Sequence, residues 1–239
     1  MSSFSQEPIV KLKDVSIFQE GVSVLNNINF EIGKGEFVYL IGRTGSGKTS
    51  LLKTLYADLP ITTGEMQVAG YNLGNIKNSK IPFLRRKVGI VFQDFQLLFD
   101  RSIAENLIFV MKATGWKDKA KIKARLTEVL MGVGLDSAAN KLPHQLSGGE
   151  QQRIVIARAL INEPAIMLAD EPTGNLDPEV ADEILILFQE INRNGTAVLM
   201  ATHNHSFLGK YPARVLKTEH GKVRDSSKEV FSFSLKYDY

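Results

Sequence analysis

The apolar residues of the chain follow two patterns, one typical of strands and one typical of helices. Residues 9–18 and 24–32 alternate apolar with polar side chains, which predicts strands that each bury one face. Residues 36–42, EFVYLIG, are a continuous apolar run, as expected for a parallel strand buried on both faces. A glycine-rich loop and a helix-forming stretch follow this run directly, so the pattern predicts an α/β core.

A helical region extends from residue 102 to about residue 160. It opens on Ser102 and Glu105, the S-x-x-E pattern of a capping box at a helix N-terminus. Further on, apolar residues recur at helical spacing before two glycines that can end the helix: Ile122, Leu126, Val129, Leu130 and Val133, then Gly132 and Gly134. The pattern predicts an all-helical insertion between two α/β halves.

Outside this insertion the chain returns to strands. Three apolar runs predict further strands: 87–94, 164–171 and 196–204. A helix should begin at Asp177-Pro178 and end at Asn194-Gly195, and residues 213–225 resemble a hairpin that turns near His220-Gly221. Residues 230–239 are typical of an edge strand and of a loose tail equally, so both interpretations stay open.

The loop after the strand at 36–42 reads GRTGSGKT and matches the phosphate-binding P-loop. Backbone N–H groups of residues 45–49 can surround phosphate oxygens, Lys48 can neutralise the β and γ charge, and Thr49 can bind Mg²⁺. The predicted nucleotide-binding residues of this loop are Gly42, Arg43, Thr44, Gly45, Ser46, Gly47, Lys48, Thr49 and Ser50.

Four further residues lie at the ends of predicted strands, and Gln93 and His203 each close one. Asp170 can hold Mg²⁺ through water, and Glu171 beside it can polarise an attacking water as general base. Gln93 can reach Mg²⁺ or that water, and His203 the γ-phosphate, because the carboxyl ends of parallel strands meet at one edge of a sheet. The predicted catalytic residues are thus Glu171, His203 and Gln93, and the predicted metal ligands are Thr49, Gln93 and Asp170. The other three histidines receive no role.

Composition removes several other classes of protein. The formal charge of +3, from 29 basic and 26 acidic residues, is too small to indicate a nucleic-acid partner. With no cysteine, neither a disulfide framework nor a thiolate metal site can form. The first residues lack the pattern of a signal peptide, and no apolar run reaches the ~18 residues of a membrane span. We therefore expect any attachment to a membrane to depend on a partner.

A second candidate anion site lies far along the chain, at LSGGEQQR, residues 146–153. Ser147 and Glu150 form another capping box, and Gly148 and Gly149 let a ligand approach the free N–H groups of the first helical turn. One chain with two phosphate cradles raises the question of whether both serve one nucleotide.

The order of the P-loop, FQ at 92–93, LSGGEQ, LADEPTGNLD and ATH resembles the ATPase subunit of the ATP-binding cassette (ABC) family over nearly the whole chain. The resemblance implies an α/β fold with a RecA-like P-loop NTPase core and an N-terminal antiparallel β subdomain, residues 1–93 and 162–239. It also implies an inserted α-helical subdomain, residues 94–161, and ATP with Mg²⁺ as cofactors.

The resemblance further implies an ATP-dependent head-to-tail homodimer, in which Ser147, Gly148 and Gly149 of one subunit cover the γ-phosphate held by the other. Asp177 would help to couple the two sites, and Phe18 would stack on adenine, where Tyr is commoner in the family. The chain has Asn204 where many relatives have Asp after the histidine, and we expect a small effect.

By the same resemblance, the segment from Asp94 to Arg101 faces an integral membrane subunit, which would hold the protein at the cytoplasmic face of the membrane. Leu97, Leu98 and Phe99 are docking candidates, or alternatively core residues of the helical subdomain. Within the family, residues 92–101 and LADEPTGNLDP are most similar to the ATPases of bacterial cell division, which regulate peptidoglycan hydrolases. Lipoprotein-releasing and macrolide exporters share several motifs and remain an alternative, as does an ATP-dependent switch with little hydrolysis.

Overall fold

The computed structural model describes residues 7–229, which form two sheets and seven α-helices. The strands are β1 Val10–Gln19, β2 Val22–Ile32, β3 Phe37–Ile41, β4 Thr63–Val68, β5 Tyr71–Asn72, β6 Val88–Val91, β7 Ile166–Asp170, β8 Ala197–Thr202, β9 Arg214–Glu219 and β10 Lys222–Asp225. The helices are α1 Lys48–Leu55, α2 Ile81–Lys87, α3 Ile103–Ala113, α4 Lys119–Gly132, α5 Gly148–Leu160, α6 Pro178–Arg193 and α7 Ser206–Lys210.

The larger sheet has six strands in the order β10-β9-β3-β8-β7-β6. Strands β9, β3, β8, β7 and β6 run parallel, and only β10 is antiparallel to its neighbour. All six residues of β8 are buried, which explains its continuous apolar sequence. The carboxyl ends of the parallel strands therefore meet at one edge, where the predicted catalytic residues lie.

The smaller sheet has four antiparallel strands in the order β2-β1-β4-β5. Its strands β1 and β2 bury largely alternate residues, as predicted. The buried side chains pack against α1 and one face of the larger sheet and form a single core with them. The end of β1 thereby reaches α1, where Ser50 donates to Gln19. The predicted strands at 9–18, 24–32 and 36–42 are confirmed.

Helices α3, α4 and α5 follow β6 and precede β7 in the chain, and they pack on the other face of the larger sheet. Capping boxes begin α3 at Ser102 and α5 at Ser147, as the sequence predicts. Helix α6 begins after Asp177, although the Asp177 side chain makes no capping hydrogen bond. The boundaries of the helical subdomain at 94 and 161 stay a prediction.

One difference from the sequence patterns concerns the end of a strand. Strand β6 pairs with β7 only from Val88 to Val91, so Gln93 lies two residues beyond the ladder instead of closing the strand. Residues 230–239, for which a strand and a tail are both open, lie outside the described residues. In the described part of the chain, no helix is long and apolar enough to cross a membrane.

A partly buried ion-pair network joins the β9–β10 hairpin to both sheets. Arg214 donates to both carboxylate oxygens of Asp225 and to Glu36, and also to the carbonyl oxygen of Glu31 in β2. Burial alone would raise the pKa of Asp225, but hydrogen bonds from Arg214 and Ser227 outweigh it and lower the pKa to about 2. The network fixes β9 beside β3 and so positions the residues at its carboxyl end.

Candidate nucleotide site

The loop GRTGSGKT connects β3 to α1 in a shape that depends on glycine at two positions. Gly47 has φ +98°, a left-handed conformation that side-chain-bearing residues rarely adopt. A Cβ atom at Gly42 would lie 2.1 Å from the hydroxyl oxygen of Thr218, so only glycine fits between the loop and β9. The loop therefore presents backbone N–H groups to a ligand with no side chain in between.

Lys48 lies under this loop and is 7% exposed. Its ammonium donates to the carbonyl oxygen of Gly42 at 2.9 Å and lies 3.6 Å from Oε1 of Glu171. A buried cation beside a row of backbone N–H groups favours phosphate binding, because the N–H groups donate hydrogen bonds and the cation adds a full positive charge. The predicted role of Lys48 is thus compatible with its geometry.

Glu171 and His203, which are far apart in sequence, are in direct contact. Oε2 of Glu171 accepts the backbone N–H of His203 at 3.1 Å and lies 2.8 Å from its ring Nδ1. The backbone of Glu171 has φ +49°, and such strained non-glycine residues cluster at functional sites. The Glu171 carboxylate is largely buried whereas the His203 ring is exposed, so the ring can contact a ligand while the carboxylate orients it.

Asp170 ends β7 beside Thr49. Burial raises the pKa of Asp170, while a hydrogen bond from Thr49 and the charge of Lys48 act in the opposite direction. The hydroxyl of Thr49, the carboxylate of Asp170 and the amide of Gln93 offer the hard oxygen donors that Mg²⁺ prefers. In residues 7–229 no group of three or more His, Asp or Glu side chains could hold a metal ion. With these three donors, Mg²⁺ would need phosphate and water oxygens to complete its six ligands.

These residues surround a cleft of about 420 Å³ at the carboxyl edge of the sheet. Its lining consists of Gln19, Val24, Thr44, Gly45, Gly47, Lys48, Thr49, Ser50, Gln93, Asp170, Glu171 and His203. The cleft therefore brings together most of the predicted P-loop residues and all the predicted catalytic and metal-binding residues.

Phe18, Asp177 and the residues Ser147 to Gly149 do not line this cleft. Phe18 is partly exposed at the end of β1, and the next residue, Gln19, accepts a hydrogen bond from Ser50 in α1 at 3.1 Å. Ser147 begins α5, where its hydroxyl accepts the N–H of Glu150 at 3.2 Å. The helix start predicted as a second phosphate cradle thus has its capping box, but its residues do not line the cleft at the P-loop of the same chain.

Asn204 lies beside the site at the start of α7. Its side-chain oxygen accepts hydrogen bonds from the N–H and the hydroxyl of Ser206, at 3.0 and 2.6 Å. An aspartate would use the same acceptor, which explains physically why Asn can replace Asp here.

Thr218, which no motif indicates, contacts the P-loop from the end of β9. Its buried hydroxyl lies 2.6 Å from the hydroxyl of Ser46 and donates to the carbonyl oxygen of Ile41 at 3.1 Å. Together with His203, His205 and His220, Thr218 lines a second cleft of about 790 Å³ on the other side of the loop. No sequence pattern indicates this contact, because it depends on the parallel pairing of β9 with β3, and strand order cannot be read from either segment alone.

We predict that Thr218→Val weakens nucleotide binding about three- to tenfold, the loss expected when one neutral hydrogen bond no longer orders the loop. Equilibrium titration with a fluorescent nucleotide measures the effect. Thr54→Val is the matched control, because the buried Thr54 hydroxyl donates to the carbonyl oxygen of Ser50 within its own helix. Equal affinities for Thr218→Val and the parent would contradict the prediction.

The sequence family can now be assigned from comparison with known proteins. The model of the family described as ABC transporter matches residues 25–174, more than half of the chain. The chain belongs to this family. The match begins in β2 and ends just after Glu171, so it contains the P-loop and LSGGEQQR, and the predicted α/β ATPase cassette is confirmed.

Two curated relatives are similar over most of the chain. The cell division ATP-binding protein FtsE of Streptococcus pneumoniae is 43% identical over 227 residues, which are 94% of this chain and 98% of that protein. FtsE of Mycobacterium tuberculosis is 45% identical over 208 residues, 87% of this chain and 90% of that protein.

A solved structure resembles the fold with a TM-score of 0.78 and 34% identity, over 93% of this chain and all of the other. It is the ATP-binding cassette MJ0796, a dimer in a post-hydrolysis state bound to ADP and Pi. Family membership together with these likenesses confirms the prediction that the chain is an ATPase.

Proposed function

We propose that this ATPase is the nucleotide-hydrolysing subunit of a membrane ABC complex that acts in cell division. The observation that carries this proposal is the 43% identity to FtsE over nearly the full length of both chains. The contact between Glu171 and His203 supports hydrolysis, because a binding switch has no need of a base oriented in this way.

In the proposed reaction, Glu171 accepts a proton from the attacking water, and His203 contacts the γ-phosphate from the position that Glu171 gives it. The P-loop N–H groups and Lys48 hold the phosphates in line. Bound Mg²⁺, held by Thr49, Asp170 and Gln93, would neutralise charge on the β and γ oxygens. Phe18 would stack on adenine at the end of β1.

The complete site is shared between two copies of the chain. Ser147, Gly148 and Gly149 of one subunit would cover the γ-phosphate in the cleft of the other, with Asp177 at the junction. Two observations support this arrangement: these residues line no part of the cleft in their own chain, and the similar cassette MJ0796 is a dimer.

The segment from Asp94 to Arg101 would contact an FtsX-like integral membrane subunit at the cytoplasmic face of the membrane, with no role for nucleic acid. Leu97 is 5% exposed and belongs to the core, so it is excluded as a docking side chain. Phe99 is 58% exposed and is the strongest of the three candidates. The exporter alternatives are not favoured, because the two curated relatives described above are FtsE proteins.

Isolation of the chain from its native membrane, followed by ATPase assays with and without the co-purified membrane protein, tests the role. We expect one integral membrane subunit to co-purify and to change the rate of hydrolysis, and its depletion to impair cell division. A lipoprotein-releasing or macrolide-exporting subunit in its place would contradict the proposal.

A further inference from the structure

Arg158, in the last turn of α5, holds the backbone of the segment at 94–101, which is here named the docking segment. Its guanidinium donates to the carbonyl oxygen of Gln96 at 2.7 Å and to that of Phe95 at 3.1 Å. The helix that begins with Ser147 is therefore bonded through its other end to the segment that follows Gln93.

The pairing of this guanidinium is unusual. Of the two other arginines in contact with α4 and α5, Arg125 forms an ion pair with Glu128 and Arg153 with Glu183. For Arg158 no carboxylate lies within 4.0 Å in residues 7–229, and burial lowers the pKa of its guanidinium. Arg158 is partly buried and donates to two peptide oxygens, and partial burial of a cation has a cost, so the position of those oxygens matters to this protein.

The acceptor of the shorter bond is itself strained. Gln96 has φ +48°, the left-handed conformation that non-glycine residues avoid unless their surroundings enforce it. The bond from Arg158 to the Gln96 carbonyl oxygen is one such enforcing contact. Two residues on, buried Asn106 of α3 bonds both the N–H and the carbonyl oxygen of Leu98, so the segment is fixed from two helices.

Phe95 also reaches the opposite end of α5. A Cβ atom at Gly148 would lie 3.8 Å from Cζ of the Phe95 ring. Phe95 thus packs its ring near LSGGE while its carbonyl oxygen accepts from Arg158. A shift of the docking segment cannot leave both contacts unchanged unless α5 moves with it.

We propose that Arg158 is a positioning residue that makes the docking segment and α5 move as one body. By holding Gln96 in its strained conformation, it couples the surface that faces the membrane partner to the orientation of Ser147 over the second nucleotide. This inference rests on the shared site and on the membrane-facing role of the docking segment, both described under Proposed function.

Hydrogen–deuterium exchange in the Glu171→Gln protein, with and without Mg-ATP, tests the coupling. In the Glu171→Gln protein, which is the parent of the variants below, ATP should slow exchange of residues 146–153 and of the docking segment together. In Arg158→Met, the docking segment should exchange roughly 10- to 100-fold faster, the loss expected for charge-assisted hydrogen bonds, and ATP should protect only residues 146–153.

Arg125→Met is the matched control. Arg125 donates to the carbonyl oxygens of Leu160 and Ile161 at the same end of α5 but does not contact the docking segment. This variant should speed exchange near residues 160–163 and leave ATP-dependent protection of the docking segment intact. If Arg158→Met does not fold, Arg158→Lys, which keeps the charge but has a single nitrogen in place of the two that bond Phe95 and Gln96, should give an intermediate loss of protection.

Two results would overturn different claims. The role of Arg158 would be overturned if ATP protects the docking segment of Arg158→Met as strongly as that of the parent. If only Arg158→Lys folds, the same comparison is made with that variant. Absence of ATP protection at residues 146–153 in the parent itself would overturn the shared site, and the coupling with it.

Discussion

Glu171→Gln is expected to lower ATP turnover by about 10²- to 10⁴-fold while ATP still binds. The amide keeps the size of the side chain but cannot accept the proton of the attacking water. Bound ATP would then hold two copies together, so the variant should elute as a dimer with Mg-ATP and as a monomer without it. Steady-state phosphate release and size-exclusion chromatography measure both effects.

Glu179→Gln supplies the control for this experiment. Glu179 lies in the exposed first turn of α6, outside the cleft, and the same change there should leave turnover as in the parent. Parent-like hydrolysis by Glu171→Gln, with no ATP-dependent dimer, would show that another group acts as the base.

Ser147→Arg is expected to abolish turnover, by at least about 100-fold, and to leave ATP affinity within about twofold of the parent. The arginine would remove the cap of α5, place a cation at a helix N-terminus and fill the space above the glycines. Binding should survive because Ser147 lines no part of the cleft in its own chain. Turnover assays and nucleotide titration separate the two effects.

Ser147→Ala distinguishes loss of the cap from obstruction of the site. Alanine removes the hydroxyl that accepts the Glu150 N–H, which costs about 1 kcal/mol of stability, but leaves the glycines accessible. We expect reduced, measurable turnover in this variant. Loss of ATP binding in Ser147→Arg would instead indicate that the two cradles meet within one chain.

Site residues that belong to local sequence motifs could be predicted, whereas contacts between distant segments could not. The P-loop and the capping box of Ser147 and Glu150 are each specified within a few residues, so spacing alone identifies them. Strand β8 could be predicted because burial on both faces requires a continuous apolar run.

Contacts between distant segments could not be predicted in the same way. Thr218 meets Ser46 only because β9 lies beside β3, and strand order is not written in any one segment. The bond from Arg158 to Gln96 likewise depends on how α5 packs against the chain after β6. Strand β4 escaped prediction because its first three residues are exposed and its apolar signal is short.

Cross-linking between two copies tests the shared nucleotide site most directly. The chain contains no cysteine, so Thr44→Cys in one copy and Ser147→Cys in another, both with Glu171→Gln, provide a defined pair of thiols. A short bifunctional thiol reagent should join the mixed copies into a dimer with Mg-ATP and not without it. No interchain product with Mg-ATP, together with an intrachain link in the double variant, would contradict the shared site.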